Sequence, residues 1–229
     1  MPSVGQKYQQ AKQKSYPTRK GSSAAPNFAP NFAPHERFKY IAFNKPFGVL
    51  SQFTKEPNSL KRTLAEFNFP AGVYPIGRLD YDSEGLLLLS DDGRLNKQLL
   101  SPEFGHCRRY LCQVERIPNE NALEQLRSGL IIEGRKTLPA LVRLLQEEPR
   151  LPEREQAIRF RKNVPTAWIE LEITEGKNRQ VRKMTAAVGH PTLRLLRVAI
   201  GAMELSELEL EQGSWKLLSP EEIKLAFKK

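Results

Sequence analysis

Residues 77–89 read GRLDYDSEGLLLL. Gly77 and Gly85 bracket a loop that carries Asp80, Asp82 and Glu84, and four leucines follow it directly. An apolar run of that length without alternation is the pattern of a buried extended segment. The acidic loop is therefore displayed at a strand end, with its carboxylates close together. Yet the 229-residue chain has a formal net charge of +10. A cationic protein suited to an acidic partner has concentrated three acids at one exposed turn, and that needs a reason.

Outward from this stretch, extended segments dominate. FKYIAFNKP (38–46) alternates as a strand and is ended by Asn44 and Pro46. LKRTLAEF (60–67) has the pattern of a short helix, and GVYPIGRL enters the acidic loop as a buried extended segment. Behind the leucines come a DDG turn and a short helix, RLNKQLL. RRYLCQVE (108–115) alternates like a half-buried strand, and NENALEQLRSG (119–129) reads as a helix from an Asn N-cap to a Gly C-cap. LIIEG and ALVRLL are strand-like, followed by the polar break QEEPRLPEREQ (146–156). TAWIELEIT (166–174) alternates Trp168, Glu170 and Glu172 with Ile169, Leu171 and Ile173. A helix is predicted from about Asn178 to Val188, then a strand, TLRLLRVAIG. The final SPEEIKLAF carries Ser219, Pro220 and Glu222 where a capping box places them. Strands outnumber helices without alternating with them one for one. That predicts an α+β fold: a mixed, mostly antiparallel central sheet with flanking helices.

Composition narrows the partner. Residues 1–37 hold six cations against Glu36 alone, in a low-complexity stretch that includes APNFAPNFAP. Such a segment cannot offset the entropy of ordering, so 1–37 is predicted to be a disordered basic tail, with Phe28 and Phe32 undocked, ahead of a domain spanning 38–229. No apolar run approaches the roughly 20 residues that cross a bilayer. The N-terminus lacks the apolar core of a secretory signal. Cys107 and Cys112 cannot make a disulfide framework, and on one strand their odd separation sends them to opposite faces. A reduced, cytoplasmic protein without membrane contact is expected, and a monomer. The basic balance favours nucleic acid as partner over simple solubility.

The acidic loop admits three kinds of chemistry. Asp80, Asp82 and Glu84 could supply paired acids for glycoside hydrolysis. They could join a Mg²⁺ site, although no histidine lies near, and His106 beside Cys107 lacks the ligand count of a zinc site. Or one Asp could act as a nucleophile held ionised by an arginine. The helix NRQVRKMTAAV offers cations for that last arrangement. Arg179, Arg182 and Lys183 share one face and Val181, Met184 and Val188 another, with Gly176 and Lys177 beside free N–H groups at the helix start.

These motifs, together and in order, resemble a known family. FNKPFGVLSQF, GRLDYDSEGLLLL, RRYLCQVE, EGKNRQVRKM and LLRVAIGAMEL are similar to the pseudouridine synthases of the ribosomal small- and large-subunit family, over about residues 38–218. Within it the chain is most similar to large-subunit synthases of the E type. Small-subunit relatives carry an N-terminal S4-like RNA-binding domain, and here only the basic tail is expected. The resemblance implies a central catalytic cleft in which a uridine of 23S ribosomal RNA is isomerised: the N1–C1′ bond breaks and C1′ is rejoined to C5. It implies no cofactor and no metal. Asp80 matches the catalytic aspartate, Tyr110 the tyrosine that stacks on the target base, and Arg182 the residue that pairs with the aspartate. Arg78 matches the arginine that fills the gap left by the extruded nucleotide. Lys45, Arg108, Arg109, Lys177, Asn178, Arg179 and Lys183 are then expected to contact the RNA backbone.

Overall fold

A computed structural model of the chain describes residues 32–154, 156–157 and 163–228. It begins with β1 (Tyr40–Lys45), the short parallel pair β2 (Val49–Leu50) and β3 (Arg62–Thr63), and a 3-10 turn at Leu64–Phe67. β4 (Tyr74–Pro75), β5 (Glu84–Ser90), α1 (Gly93–Leu100), β6 (Arg108–Glu115) and α2 (Glu120–Ser128) follow. Next come the hairpin β7 (Ile131–Ile132) and β8 (Arg135–Lys136), then β9 (Leu141–Leu144) and β10 (Thr166–Ile173). The chain closes with α3 (Gln180–Ala187), β11 (Thr192–Ile200), β12 (Met203–Glu204), β13 (Trp215–Leu217) and α4 (Pro220–Leu225).

Nine strands form one sheet, in the order β13-β1-β5-β11-β6-β10-β9, with β4 beside β5 and β12 beside β11. Its pairs are antiparallel except β5 with β11, so the sheet is mixed and mostly antiparallel as expected. The leucine run explains why β5 sits centrally. Leu86 and Leu88 pack on one face with Leu111 and Leu196, while Leu87 and Leu89 pack on the other with Tyr110, Cys112 and Leu195. A strand apolar on both faces is stable only where both are covered. β1, beside β5, is likewise buried on both faces, with Tyr40 and Ala42 in one core and Ile41 and Phe43 in the other.

Local signals set the helix ends. Asp92 caps α1 by accepting from the Arg94 N–H, Asn119 caps α2 by accepting from Ala122, and Ser219 and Glu222 form the capping box of α4. Two expectations are revised. In 60–67 only one 3-10 turn forms, because β3 is drawn into pairing with β2 and the Leu64 N–H donates to the Gln52 carbonyl. The helix expected from Asn178 starts at Gln180, after Arg179 in the left-handed region (φ 51°). Residues 1–31 of the expected tail, Phe28 included, lie outside the described residues. Phe32 does not fit the tail description: it is buried, stacked on Phe227 at 4.6 Å between centroids and edge-on to Tyr40 at 5.8 Å. Docking of aromatic area holds 32–37 to the body beside α4. Both cysteines are free, with Cys112 inside a core. Among the described residues no helix is long and apolar enough to cross a membrane.

The parallel junction of β5 and β11 depends on Gly85. It has φ +100°, and a Cβ there would lie 2.3 Å from the Arg197 carbonyl oxygen. That is backbone against backbone, with no side chain to move aside. Gly85→Ala is expected to cost more than about 4 kcal/mol of unfolding free energy. Gly134→Ala, at φ +74° with nothing within 4 Å of the added carbon, is expected to cost only about 1–2 kcal/mol. Urea denaturation of the two variants measures the contrast, and equal losses would refute the close approach.

Candidate active site

The acidic loop is a β-turn held by its backbone. The Ser83 N–H donates to the Asp80 carbonyl at 3.0 Å, closing the turn over residues 80–83. Just before it, Ser51 brackets Leu79, its hydroxyl donating to the Leu79 carbonyl (2.7 Å) and accepting from the Leu79 N–H (3.1 Å). The Tyr81 carbonyl accepts from the Gly48 N–H at 2.9 Å. The Asp82 carbonyl accepts from Arg182 Nη2 at 2.6 Å, and the Ser83 carbonyl from Lys45 Nζ at 2.7 Å. Five consecutive residues are thus fixed by β1, by the segment around β2 and by α3. Asp80 stands on this frame with its side chain one-third exposed.

Beside the turn opens a cleft of about 570 Å³. Asp80 and Arg78 lie along its lining, with Tyr110 and Arg108 from β6, Arg197 from β11, and Lys177, Asn178 and Arg179 from the start of α3. The sheet register explains the grouping. Tyr110 is paired with Leu171 on one side and Arg197 on the other, so these side chains share a face, and Arg108 is two positions along the same strand. The cleft therefore has an aromatic and cationic floor, with a carboxylate at its edge.

The charges are divided unevenly. Arg179 spans both aspartates, meeting Asp82 at 2.7–3.0 Å and Asp80 at 3.6 Å. Burial pushes the Asp82 carboxyl up, but the Arg179 hydrogen bonds and the charges of Arg182 and Arg179 outweigh it and hold Asp82 below the ordinary aspartate range. Glu84 is wholly buried and taken up by Arg194 (2.8 and 3.0 Å) and Gln212 (3.0 Å), with Arg154 at 3.8 Å. So Glu84 braces the body and cannot pair with Asp80 across a substrate. Among the described residues no group of three or more His, Cys, Asp or Glu is arranged to hold a metal ion.

The RNA pseudouridylate synthase family matches this chain over residues 39–187. The chain is 51% identical to the ribosomal large subunit pseudouridine synthase E of Xanthomonas campestris pv. campestris over 177 residues, covering 77% of this chain and 94% of that protein. It is 47% identical to the synthase of the same name from Vibrio vulnificus, covering 79% of this chain and 75% of that one. The crystal structure of a pseudouridylate synthase superposes with a TM-score of 0.65 at 28% identity, covering 82% of this chain and 74% of the other. The chain belongs to the RNA pseudouridylate synthase family. The cleft and the mixed sheet are thus the pseudouridine synthase fold expected from the sequence.

Several contacts differ from those expected of a family member. Arg182 was expected to pair with Asp80, but its guanidinium is committed to the Asp82 and Thr192 carbonyls and lies 3.4 Å from the Asp82 carboxylate. The cation within ion-pair distance of Asp80 is Arg179. Asp82 shares that arginine with Asp80. Lys45 is no phosphate contact: it is fully buried, bonded to the Pro46 and Ser83 carbonyls. Arg109 points to the face opposite Tyr110, where it meets Glu172 and Glu204. Arg108 is buried against the Leu99 carbonyl. Lys183 is paired with Glu133 and Lys177 with Glu175, whereas Arg78 and Asn178 are exposed at the rim. The Lys177 N–H donates to the Gln180 side chain. His106 packs edge-on to Phe227. Sequence reading missed Ser51, whose place in FNKPFGVLSQF gave no signal, and Arg197, one of two arginines within an otherwise apolar strand, which is a usable signal.

Burial pushes the Lys45 ammonium down from 10.5 to about 7, against the pull of Glu84, Asp82 and Asp80. The folded chain then gives up this proton more readily than the unfolded one. Between about 7 and 10.5 the unfolded state binds more protons, so stability rises with pH there and is flat on either side. The unfolding free energy of the wild type minus that of Lys45→Met is expected to increase by roughly 5 kcal/mol across the window. A pH-independent difference in denaturant titrations would refute it.

Proposed function

We propose that this synthase isomerises one uridine of large-subunit (23S) ribosomal RNA to pseudouridine, with Asp80 as the carboxylate that meets the sugar. The observation that carries the reading is the placement of Asp80: on a backbone-pinned turn, at the edge of a cleft whose floor is Tyr110. Pinning lowers the reorganisation needed to reach a reactive geometry. Relatives near half identity over most of both chains are named large-subunit synthases of the E type, which supports that RNA as substrate.

In this reading the target uridine leaves its stack at a cost of about a few kcal/mol. Stacking on Tyr110 returns about 1–3 kcal/mol. Arg78, exposed at the rim, enters the space the nucleotide vacates. Arg179, Lys177, Asn178 and Lys183 at the start of α3 face the RNA backbone, where the ion pairs of the three cations with acids of the protein are exchanged for phosphates and Asn178 adds a neutral donor. Arg182 acts on the catalytic carboxylate indirectly, holding the turn through the Asp82 carbonyl. The isomerisation is redox-neutral and moves one bond within one nucleotide, so the scheme needs no cofactor and no metal. The enzyme acts as a monomer in the cytoplasm.

Asp80→Asn is expected to lower pseudouridine formation in large-subunit RNA by roughly a thousandfold or more. Its RNA affinity should stay within about threefold, because phosphate contacts dominate binding. Carbodiimide-primer extension and filter binding give the two readouts. Activity within about tenfold of wild type would eliminate the catalytic role of Asp80.

A further inference from the structure

β11 carries two buried arginines with opposite surroundings. Arg194 faces the side of Leu196 and is saturated by Glu84. Arg197 faces the other side, paired in register with Tyr110, and lines the cleft. It is 4% exposed, and its Nε donates to the Leu86 carbonyl at 2.7 Å. Its Nη2 is buried with no hydrogen-bond partner, and among the described residues no carboxylate lies within ion-pair distance of it. Among the described residues, the nearby Arg108 is likewise held by carbonyls, those of Leu99 and His106.

A buried guanidinium with an unmet donor is costly unless something completes it. The rest of the floor says what that is. Tyr110, Leu195, Ile173 and Val181 form an aromatic and aliphatic slot around the two arginines, which suits a flat ring with electron-rich edges better than a hydrated phosphate. Resting on the reading of the site given above, we infer that Arg197 is a catalytic residue that donates through Nη2 to a carbonyl oxygen of the flipped uracil and stabilises the ring as it departs. When N1–C1′ breaks, its electron pair stays with the ring and spreads onto O2 and O4. C1′ then bonds to an Asp80 oxygen, or C2′ gives a proton to that carboxylate. The later C5–C1′ bond uses the ring's electron pair, and as it forms the C1′–O bond to Asp80 breaks, or Asp80 returns its proton to C2′; the C5 proton is released, and a proton is taken up at N1. Negative charge on the ring peaks between these two bond changes. A fixed donor in a pocket shielded from water is most effective at that point.

The test uses the full-length chain and a stem-loop RNA spanning the uridine that the wild type modifies, with single-turnover rates from nucleoside digestion. Arg197→Met is expected to react about 100-fold more slowly, with RNA affinity within about threefold, and Arg197→Lys to recover about tenfold of the loss. The same RNA carrying 5-fluorouridine at the target separates chemistry from folding. Fluorine helps the departing ring bear the charge but leaves C5 no proton to release, so the rate read on this substrate is the loss of 5-fluorouridine, and the deficit of the Met variant should shrink to about tenfold. If the Met variant is equally slow on both substrates, Arg197 serves only to hold Leu86 and the inference is overturned; a rate within about threefold of wild type overturns it too. In both cases the wild type still makes pseudouridine, so the proposed function stands. A wild type that makes none overturns both.

Discussion

The Asp80 turn is held by hydrogen bonds to its backbone, and the rest of the molecule is arranged around making them. The donors come from distant parts of the chain: Lys45 at the end of β1, Gly48 and Ser51 beside β2, and Arg182 in α3. The full set is made only when β1, the segment around β2 and α3 all stand against the turn. The fold and the site are therefore one cooperative object. A side chain fixed through its own hydrogen bonds must break them to react, whereas Asp80 is placed by main-chain contacts and keeps its oxygens available. The cost falls on Lys45, an ammonium buried under three carboxylates that favour its charge while burial opposes it.

Three acids in a cationic protein now have separate explanations. Glu84 is interior bracing for Arg194, Asp82 is hydrogen-bonded to Arg179 and lies beside Arg182, and Asp80, about as exposed as Asp82, has only the longer 3.6 Å contact with Arg179. Each acid has at least one arginine near it, so the loop does not present a negative patch to a polyanion. Arg179 is central to this arrangement because it reaches both aspartates. It stands just before the helix with a left-handed backbone, and its side chain reaches the turn.

Much of the fold was legible because the patterns were local. The both-sided burial of Leu86–Leu89, the alternation of β6 and β10 and the capping box of α4 follow from period and end signals that need no knowledge of distant residues. The motif order identified the family and placed Asp80 and Tyr110 beside one cleft. What failed was pairing between segments. Lys45, Arg108 and Arg109 look alike in sequence as surface cations, but one is under the turn, one is buried in the cleft wall and one is on the opposite face. Helical spacing grouped Arg179 with Arg182, yet it could not show that the first adopts φ 51° or that the second is spent on carbonyls. The helix expected at 60–67 lost to a pairing with β2 that lies outside its own window.

The arginines of β11 show how strand parity decides what a residue does. Positions 194 and 197 are an odd number apart, so the pleat sends them to opposite faces of the same central strand. Position 84 of β5 is in register with Leu196 and so delivers its carboxylate to the Arg194 side, while in-register position 85, on the Arg197 side, is a glycine with no side chain to offer. One face thus receives a counter-ion from its neighbour and becomes packed interior. The other receives none and opens into the cleft beside Tyr110. A shift of one residue in the β5–β11 pairing would exchange these surroundings, placing a carboxylate on the cleft floor and leaving the interior arginine without its partner. The close approach that Gly85 permits fixes that register, and so keeps the floor of the cleft cationic.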